Sequence, residues 1–211
     1  MNDRKKGHNM KKGLMIVISG PAGSGKGTVN AHLLAREEFV YSVSATTRAP
    51  RPGEIDGVNY HFLSREEFLG RIEAGDMLEY TEYCGNFYGT PRKEAEAVLN
   101  SGKNLILEIE VEGAQNVKAK YPDAVLIMLL PPSFSVQEQR LRGRGTEPEE
   151  KILARLSRTR EEVALVDHYD YVVYNYDGMA AEAADEILAI VRAEADALRH
   201  NPTVATDYFA N

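Results

Sequence analysis

One cysteine, Cys84, stands in a chain of 211 residues. It excludes an internal disulfide and fits a reducing compartment. The five histidines are scattered without metal-ligand spacing. Long apolar runs are missing too: nothing approaches the roughly 20 residues of a membrane-spanning helix. Nor is there an excess of positive charge. The 25 Lys and Arg face 32 Asp and Glu, a net charge of −7. That argues against a generic binder of nucleic acid or acidic membrane, because phosphate backbones attract basic surfaces. A small anionic ligand in a local basic pocket stays open. What is present is ordinary for a soluble globular protein: 43% hydrophobic and 27% charged residues, too apolar for disorder. The length suits one compact domain with small insertions.

The start, "MNDRKKGHNMKKG", is basic. The apolar stretch behind it, Leu14 to Ile18, is shorter than the ~7–15 residues a signal peptide needs. Residues 1–11 are therefore read as a solvated, flexible lead, and the chain as cytoplasmic. Further on, apolar runs at Leu14–Ser19, 104–110, 123–130 and 170–175 read as strands covered on both faces. Helical patterns fall at Thr28–Glu37, 91–101, 112–120, 133–142, 147–166 and 179–199. Strands alternating with helices predict an α/β fold with a doubly wound parallel sheet.

Residues 38–90 break that rhythm with short alternating segments and turns, so they predict a small α+β insertion. Within it Ser64 and Glu67 have capping-box spacing and predict a short helix ending near Gly75. The arginine-rich stretch 138–166 reads as a helical flap. This leaves 12–37, 91–137 and 167–200 as the core of one domain over 12–200, and 201–211 as a tail without periodicity, expected to fray.

The most informative stretch is "MIVISGPAGSGKGTV", 15–29. Gly20, four residues, then Gly25 and Lys26 follow a strand and open a helix. Glycines let backbone N–H groups turn toward an anion, the helix N-terminus adds positive charge, and Lys26 can follow the terminal phosphates. The plain alternative is a loop that only turns the chain; the strand–loop–helix setting and Lys26 favour a nucleoside triphosphate. The usual pattern has Ser or Thr after the lysine. Here that residue is Gly27, with Thr28 next.

A second stretch, "SATTRAPRPGEIDGVNYHF", 44–62, places Arg48 and Arg51 in a segment stiffened by Pro50 and Pro52. Guanidinium forks suit bidentate phosphate contact, and Tyr60 adds a hydroxyl. Alone, the segment is hardly distinguishable from a basic surface loop paired with Glu54 and Asp56.

Together with "GPAGSGKGT", "LEYTEYCGNFYGTP", "LEIEVEGAQ" and "RLRGRGTE", in that order, the chain from about Gly13 to Asn175 resembles the guanylate kinases. The resemblance implies a P-loop α/β core, a GMP-binding insertion at 38–90 and a mobile lid at 138–166. It implies transfer of the γ-phosphate of ATP to GMP or dGMP, with Mg²⁺ bound mainly through nucleotide phosphates and water. Neither nucleic acid nor membrane is implied as a partner, and monomer and homo-oligomer both stay open.

Residue by residue, the resemblance assigns ATP to Gly20, Pro21, Ala22, Gly23, Ser24, Gly25, Lys26, Gly27 and Thr28, with Asn175 near adenine. Arg48, Arg51, Tyr60 and Tyr88 hold the GMP phosphate, and Glu54 orients an arginine. Ser44, Glu79, Thr90 and Glu110 read the base; many relatives have Asp at the position of Glu110. Carboxylates suit guanine, whose N1–H and amino group are donors where adenine reverses the pattern. The implied catalytic set is Lys26 and Arg48 with Arg140, Arg144 and Arg155 of the lid. Gly143 and Gly145 flank Arg144 as a hinge, whereas Arg142, Arg158 and Arg160 are expected to pair with carboxylates such as Glu161 and Glu162 at solvent. The rivals are a guanylate-kinase-like peptide-binding module, a P-loop kinase for another acceptor, and a general P-loop ATPase.

Overall fold

The computed structural model describes residues 12–83, 85–143, 145 and 148–209. Strand β1 (Met15–Ser19) leads into helix α1 (Lys26–Leu34) and strand β2 (Phe39–Tyr41). Short strands β3 (Ala45–Thr46) and β4 (His61–Phe62), helix α2 (Arg65–Glu73) and strands β5 (Met77–Tyr83) and β6 (Asn86–Pro91) follow. The chain then alternates through α3 (Arg92–Asn100), β7 (Asn104–Glu108), α4 (Val111–Lys120) and β8 (Val125–Leu130). Helices α5 (Phe134–Gly143) and α6 (Glu149–Val163), strand β9 (Tyr171–Tyr174), helix α7 (Ala180–Asp196) and a last short helix α8 (Val204–Phe209) complete it. The parallel sheet has the order β2-β7-β1-β8-β9, and a second sheet the order β4-β3-β6-β5. The described residues form two compact units: 12–15 with Glu37–Ile106, and Ile16–Arg36 with 107–209.

In the second unit the continuous hydrophobicity of the strands has its expected cause. Ile16 pairs with Val125 and Ile127 with Tyr171, all in parallel register. Ile16, Val17, Ile18, Leu126, Ile127, Met128 and Leu129 are fully enclosed. Strands whose two faces are both covered carry no polar alternation. Helix α7 turns Ala183, Ala184, Ile187, Leu188 and Val191 inward, an apolar stripe at helical spacing. Each fully buried Ile or Leu contributes about 1.5–3 kcal/mol relative to exposure.

The first unit has its own small core of Ala45, Phe68, Met77 and Phe87, with the Phe68 and Phe87 rings stacked at 5.4 Å. Phe68 is delivered by α2, whose start is fixed as its sequence predicts. The Glu67 backbone N–H donates to Ser64 Oγ, and the Ser64 N–H donates to the Glu67 carboxylate at 2.8 Å. Gly89 in β6 is required by close approach: a Cβ there would lie 2.7 Å from the Glu79 carbonyl.

Three expectations are corrected. Phe39–Tyr41 was assigned to the insertion but pairs with Asn104–Ile106 in the parallel sheet; three residues between polar segments are too few to show their period. Helix α1 begins at Lys26 rather than Thr28, because Gly25, at φ +88°, ends the loop there. The tail forms α8 over Val204–Phe209. The lead 1–11, Cys84 and Arg144 lie outside the described residues.

Removing the cap hydroxyl in Ser64→Ala is expected to cost about 1 kcal/mol, read as a lower urea midpoint. The Ser64 N–H and hydroxyl hold the Glu67 carboxyl below its ordinary range. A group with a depressed value stabilises above its unfolded pKa and loses that contribution as pH falls through the folded one. Alanine keeps the backbone N–H at position 64, the larger cause of that shift, so parent and variant alike should lose stability as pH falls and most of their difference should persist. An unchanged urea midpoint would remove the capping box from the stability of this unit.

Candidate active site

The glycine loop, Gly20–Gly25, must solve a backbone problem before it can hold anything. Turning N–H groups toward an anion sends carbonyls the other way, and each buried carbonyl needs a donor. Every one here has its partner. Lys26 Nζ donates to the Gly20 carbonyl, and the Ser24 N–H donates to Pro21. Gln137 Nε2 donates to Ala22 at 2.8 Å, Arg140 to Gly23 at 3.2 Å, and Asn175 Nδ2 to Ser24 at 2.8 Å. The Thr28 and Val29 N–H groups donate to Gly25. Gly23 and Gly25 take φ of +87° and +88°, a region open to glycine. A Cβ on Gly25 would also meet Asn175 Nδ2 at 2.3 Å, and one on Gly20 would meet the Leu129 carbonyl at 2.1 Å.

With the carbonyls tied back, the Lys26 and Gly27 N–H groups open α1 ahead of the acceptors of their own helix. They border a pocket of about 330 Å³ lined by Pro21, Gly23–Thr28 and Glu108. Glu108, at the end of β7, accepts a hydrogen bond from Asn30 Nδ2 at 2.7 Å. The cavity is of ligand size, and its N–H groups and helix dipole favour anions.

Arg140 and Asn175 thus stand on the loop's backbone. Besides Gly23, Arg140 donates to the Asn175 carbonyl and the Asp177 carboxylate. Sequence reasoning missed Gln137 altogether. It is 1% exposed and also donates to Thr159 Oγ1 at 2.7 Å. Its only signal was a polar residue on the buried side of a helix. Around it Leu141, Ile152 and Leu156 pack with Ala22, so α5 and α6 are built directly onto the loop.

In the first unit the structure gathers Arg48, Arg51, Glu54, Tyr60 and Tyr88. One terminal nitrogen of Arg48 donates to both Glu54 oxygens, at 2.9 and 3.0 Å, and the Arg51 N–H donates to Glu54 at 2.7 Å. The Arg51 N–H and the arginine charges hold the Glu54 carboxyl below its ordinary range, against a weaker push from burial. The Arg48 guanidinium lies 5.5 Å from the centre of the Tyr60 ring, and that ring meets Tyr88 edge-on at 6.1 Å. Arg51 is exposed. The result is a cationic fork with two phenols beside it, suited to a phosphate.

Glu79 and Thr90 face each other across β5 and β6. Both are buried, and Thr90 Oγ1 donates to Glu79 at 2.8 Å. A carboxylate only 2% exposed depends on hydrogen-bond donors, and Thr90 supplies one. Ser44 is half-buried, its carbonyl taken by the His61 N–H. Glu110 belongs to the second unit, where it is the exposed N-cap position of α4.

Of the lid arginines, Arg142 pairs with Glu138 and Glu149 and is raised above its ordinary value by those bonds. Arg160 sits over the Phe134 ring at 5.5 Å, instead of on the expected carboxylates. Arg155 is half-buried on α6. Gly145 takes φ +61°.

A parallel α/β sheet with an anion cradle between its first strand and helix defines a P-loop fold. The sequence model of the guanylate kinase family matches residues 12–192. The guanylate kinase of Halalkalibacterium halodurans is 52% identical over 185 residues, 87% of this chain and 90% of that one. That of Streptococcus thermophilus is 50% identical over 186 residues, 87% and 88%. The crystal structure of guanylate kinase from Anaplasma phagocytophilum is similar with a TM-score of 0.72 at 36% identity, covering 89% of this chain and 88% of its own. The chain belongs to the guanylate kinase family.

Substituting Asn175→Ala should leave the buried Ser24 carbonyl without a donor, a loss of about 1–3 kcal/mol. Calorimetry should show weaker binding of a nucleoside triphosphate together with a lower unfolding midpoint. Unchanged affinity would mean that Asn175 does not hold the loop's shape.

Proposed function

We propose a division of labour between the two units in a chain that phosphorylates GMP to GDP with ATP, a step of purine nucleotide metabolism. The observation that carries it is the pair of phosphate-binding arrangements, a P-loop in one unit and the Arg48 fork in the other, within a guanylate kinase chain. A general ATPase would need only the first. The loop N–H groups and Lys26 bind the ATP phosphates; Gly20–Thr28 form the cradle, and Asn175 acts through the loop backbone. Arg48, Arg51, Tyr60 and Tyr88 hold the GMP phosphate, with Glu54 aiming Arg48. Ser44, Glu79, Thr90 and Glu110 read the guanine edge, and dGMP, which shares that edge, is accepted as well.

An oxygen of the GMP phosphate attacks the γ-phosphorus of ATP in line. As that bond forms, the bond from the γ-phosphorus to the β,γ-bridging oxygen breaks, and ADP leaves with the bridging oxygen. Such transfer asks the protein for position and charge more than for covalent chemistry. Arg155, and Arg144 by resemblance, supply charge from the lid; Arg140 contributes by fixing the Gly23 carbonyl. Bound with the nucleotide, Mg²⁺ would supply charge neutralisation at the terminal phosphates. The donor chemistry fits it: the exposed Thr28 hydroxyl in the first turn of α1 is a hard oxygen ligand, and phosphates and water complete the set. The reaction and the lone cysteine fit a cytoplasmic enzyme. No described helix is long and apolar enough to cross a membrane.

A coupled ADP-release assay with Mg-ATP should give turnover confined to GMP and dGMP among GMP, dGMP, AMP, CMP and UMP. Turnover with AMP would sink the base assignments. In Glu79→Gln the KM for GMP should rise about tenfold, the worth of one hydrogen bond to a charged acceptor, with the KM for ATP little changed; equal shifts would remove Glu79 from base reading. Lys26→Ala should lower kcat by about 10² or more while GMP still binds by calorimetry. Retained turnover would take the loop lysine out of the mechanism.

A further inference from the structure

Arg158 stands between two carboxylates. Its Nε donates to Glu162 at 2.9 Å along α6, and a terminal nitrogen reaches Glu110 at 3.5 Å. The sequence placed this arginine at solvent on helix carboxylates alone. Glu162 is only 9% exposed. Burial pushes its carboxyl up, the charge of Glu110 pushes it further, and Arg158 and then Lys26 pull it back. On the same ground lies the Tyr169 phenol, pushed up to about 12 by burial, with the Ser19 hydroxyl drawing it down and Glu162 and Glu110 adding to the rise. Among the described residues Arg158 is thus the one that bonds to both acids.

We propose that Arg158 is a positioning residue for Glu110, holding its carboxylate in the orientation that meets the guanine edge, and that Glu162 fixes Arg158 in that place. The proposal rests on reading Glu110 as a contact to the base. Without the guanidinium the exposed Glu110 carboxylate loses the bond that orients it, and an exposed side chain left without such a bond spreads over its rotamers. The Glu162 bond supplies the second constraint, since a long arginine side chain on a half-exposed helix face does not hold one geometry unaided.

The test is steady-state kinetics of Arg158→Ala, Arg158→Lys, Arg158→Ala/Glu162→Gln and Glu110→Ala, with folding checked by circular dichroism. In Arg158→Ala the KM for GMP should rise about tenfold, the worth of one hydrogen bond to a charged group, with kcat and the KM for ATP within about twofold. Arg158→Lys should recover part of the loss. Adding Glu162→Gln to Arg158→Ala should cost nothing further, because Glu162 acts through Arg158. If Arg158→Ala leaves the KM for GMP unmoved, or moves kcat and both KM values alike, the positioning role is wrong. If Arg158→Ala behaves as expected but Glu110→Ala leaves the KM for GMP unmoved, the base-reading assignment of Glu110 fails and the proposal falls with it.

Discussion

The carbonyls of the glycine loop constrain the rest of its unit. A backbone that aims its N–H groups at an anion must aim its C=O groups into the protein, and a buried carbonyl without a donor is costly. Gln137, Arg140 and Asn175 each answer one such carbonyl, and they come from α5 and from the end of β9. The positions of α5 and of the chain leaving β9 are thereby tied to the shape of a six-residue loop. Helix α6 joins the same arrangement through Thr159 on Gln137.

Two residues assigned to nucleotide contact, Arg140 and Asn175, also hold the loop from behind. Arg140 and Asn175 belong to motifs that accompany nucleotide binding, and a sequence motif does not distinguish a side chain that touches a ligand from one that shapes what touches it. Gln137 belonged to no such motif. Its amide works because it is enclosed, and enclosure depends on Leu141, Ile152 and Leu156 meeting across two helices.

The legible part of the fold was the part with a strong period. Strands β1, β7, β8 and β9 were read from continuous apolar runs, and α2 from its capping box, since these signals are local. Strand β2 was lost to the insertion because three residues leave no period to detect, and its partner β7 lies more than 60 residues away in sequence. The site divided along the same line. The Arg48–Glu54 fork spans six residues and was visible, whereas Arg158–Glu110 spans 48 and needs α6 and α4 placed before it can be seen. Charge on a helix face looks the same whether it meets water or a carboxylate from another element.

Lys26 donates to the Gly20 carbonyl, so its ammonium has a protein partner before any ligand arrives. An ammonium carries three donors, so an anion can be met without giving that bond up. The carbonyl fixes where the charge sits while the other donors face outward from it. The loop thus aims its lysine with its own backbone, and the direction of the charge is settled before the ligand that needs it.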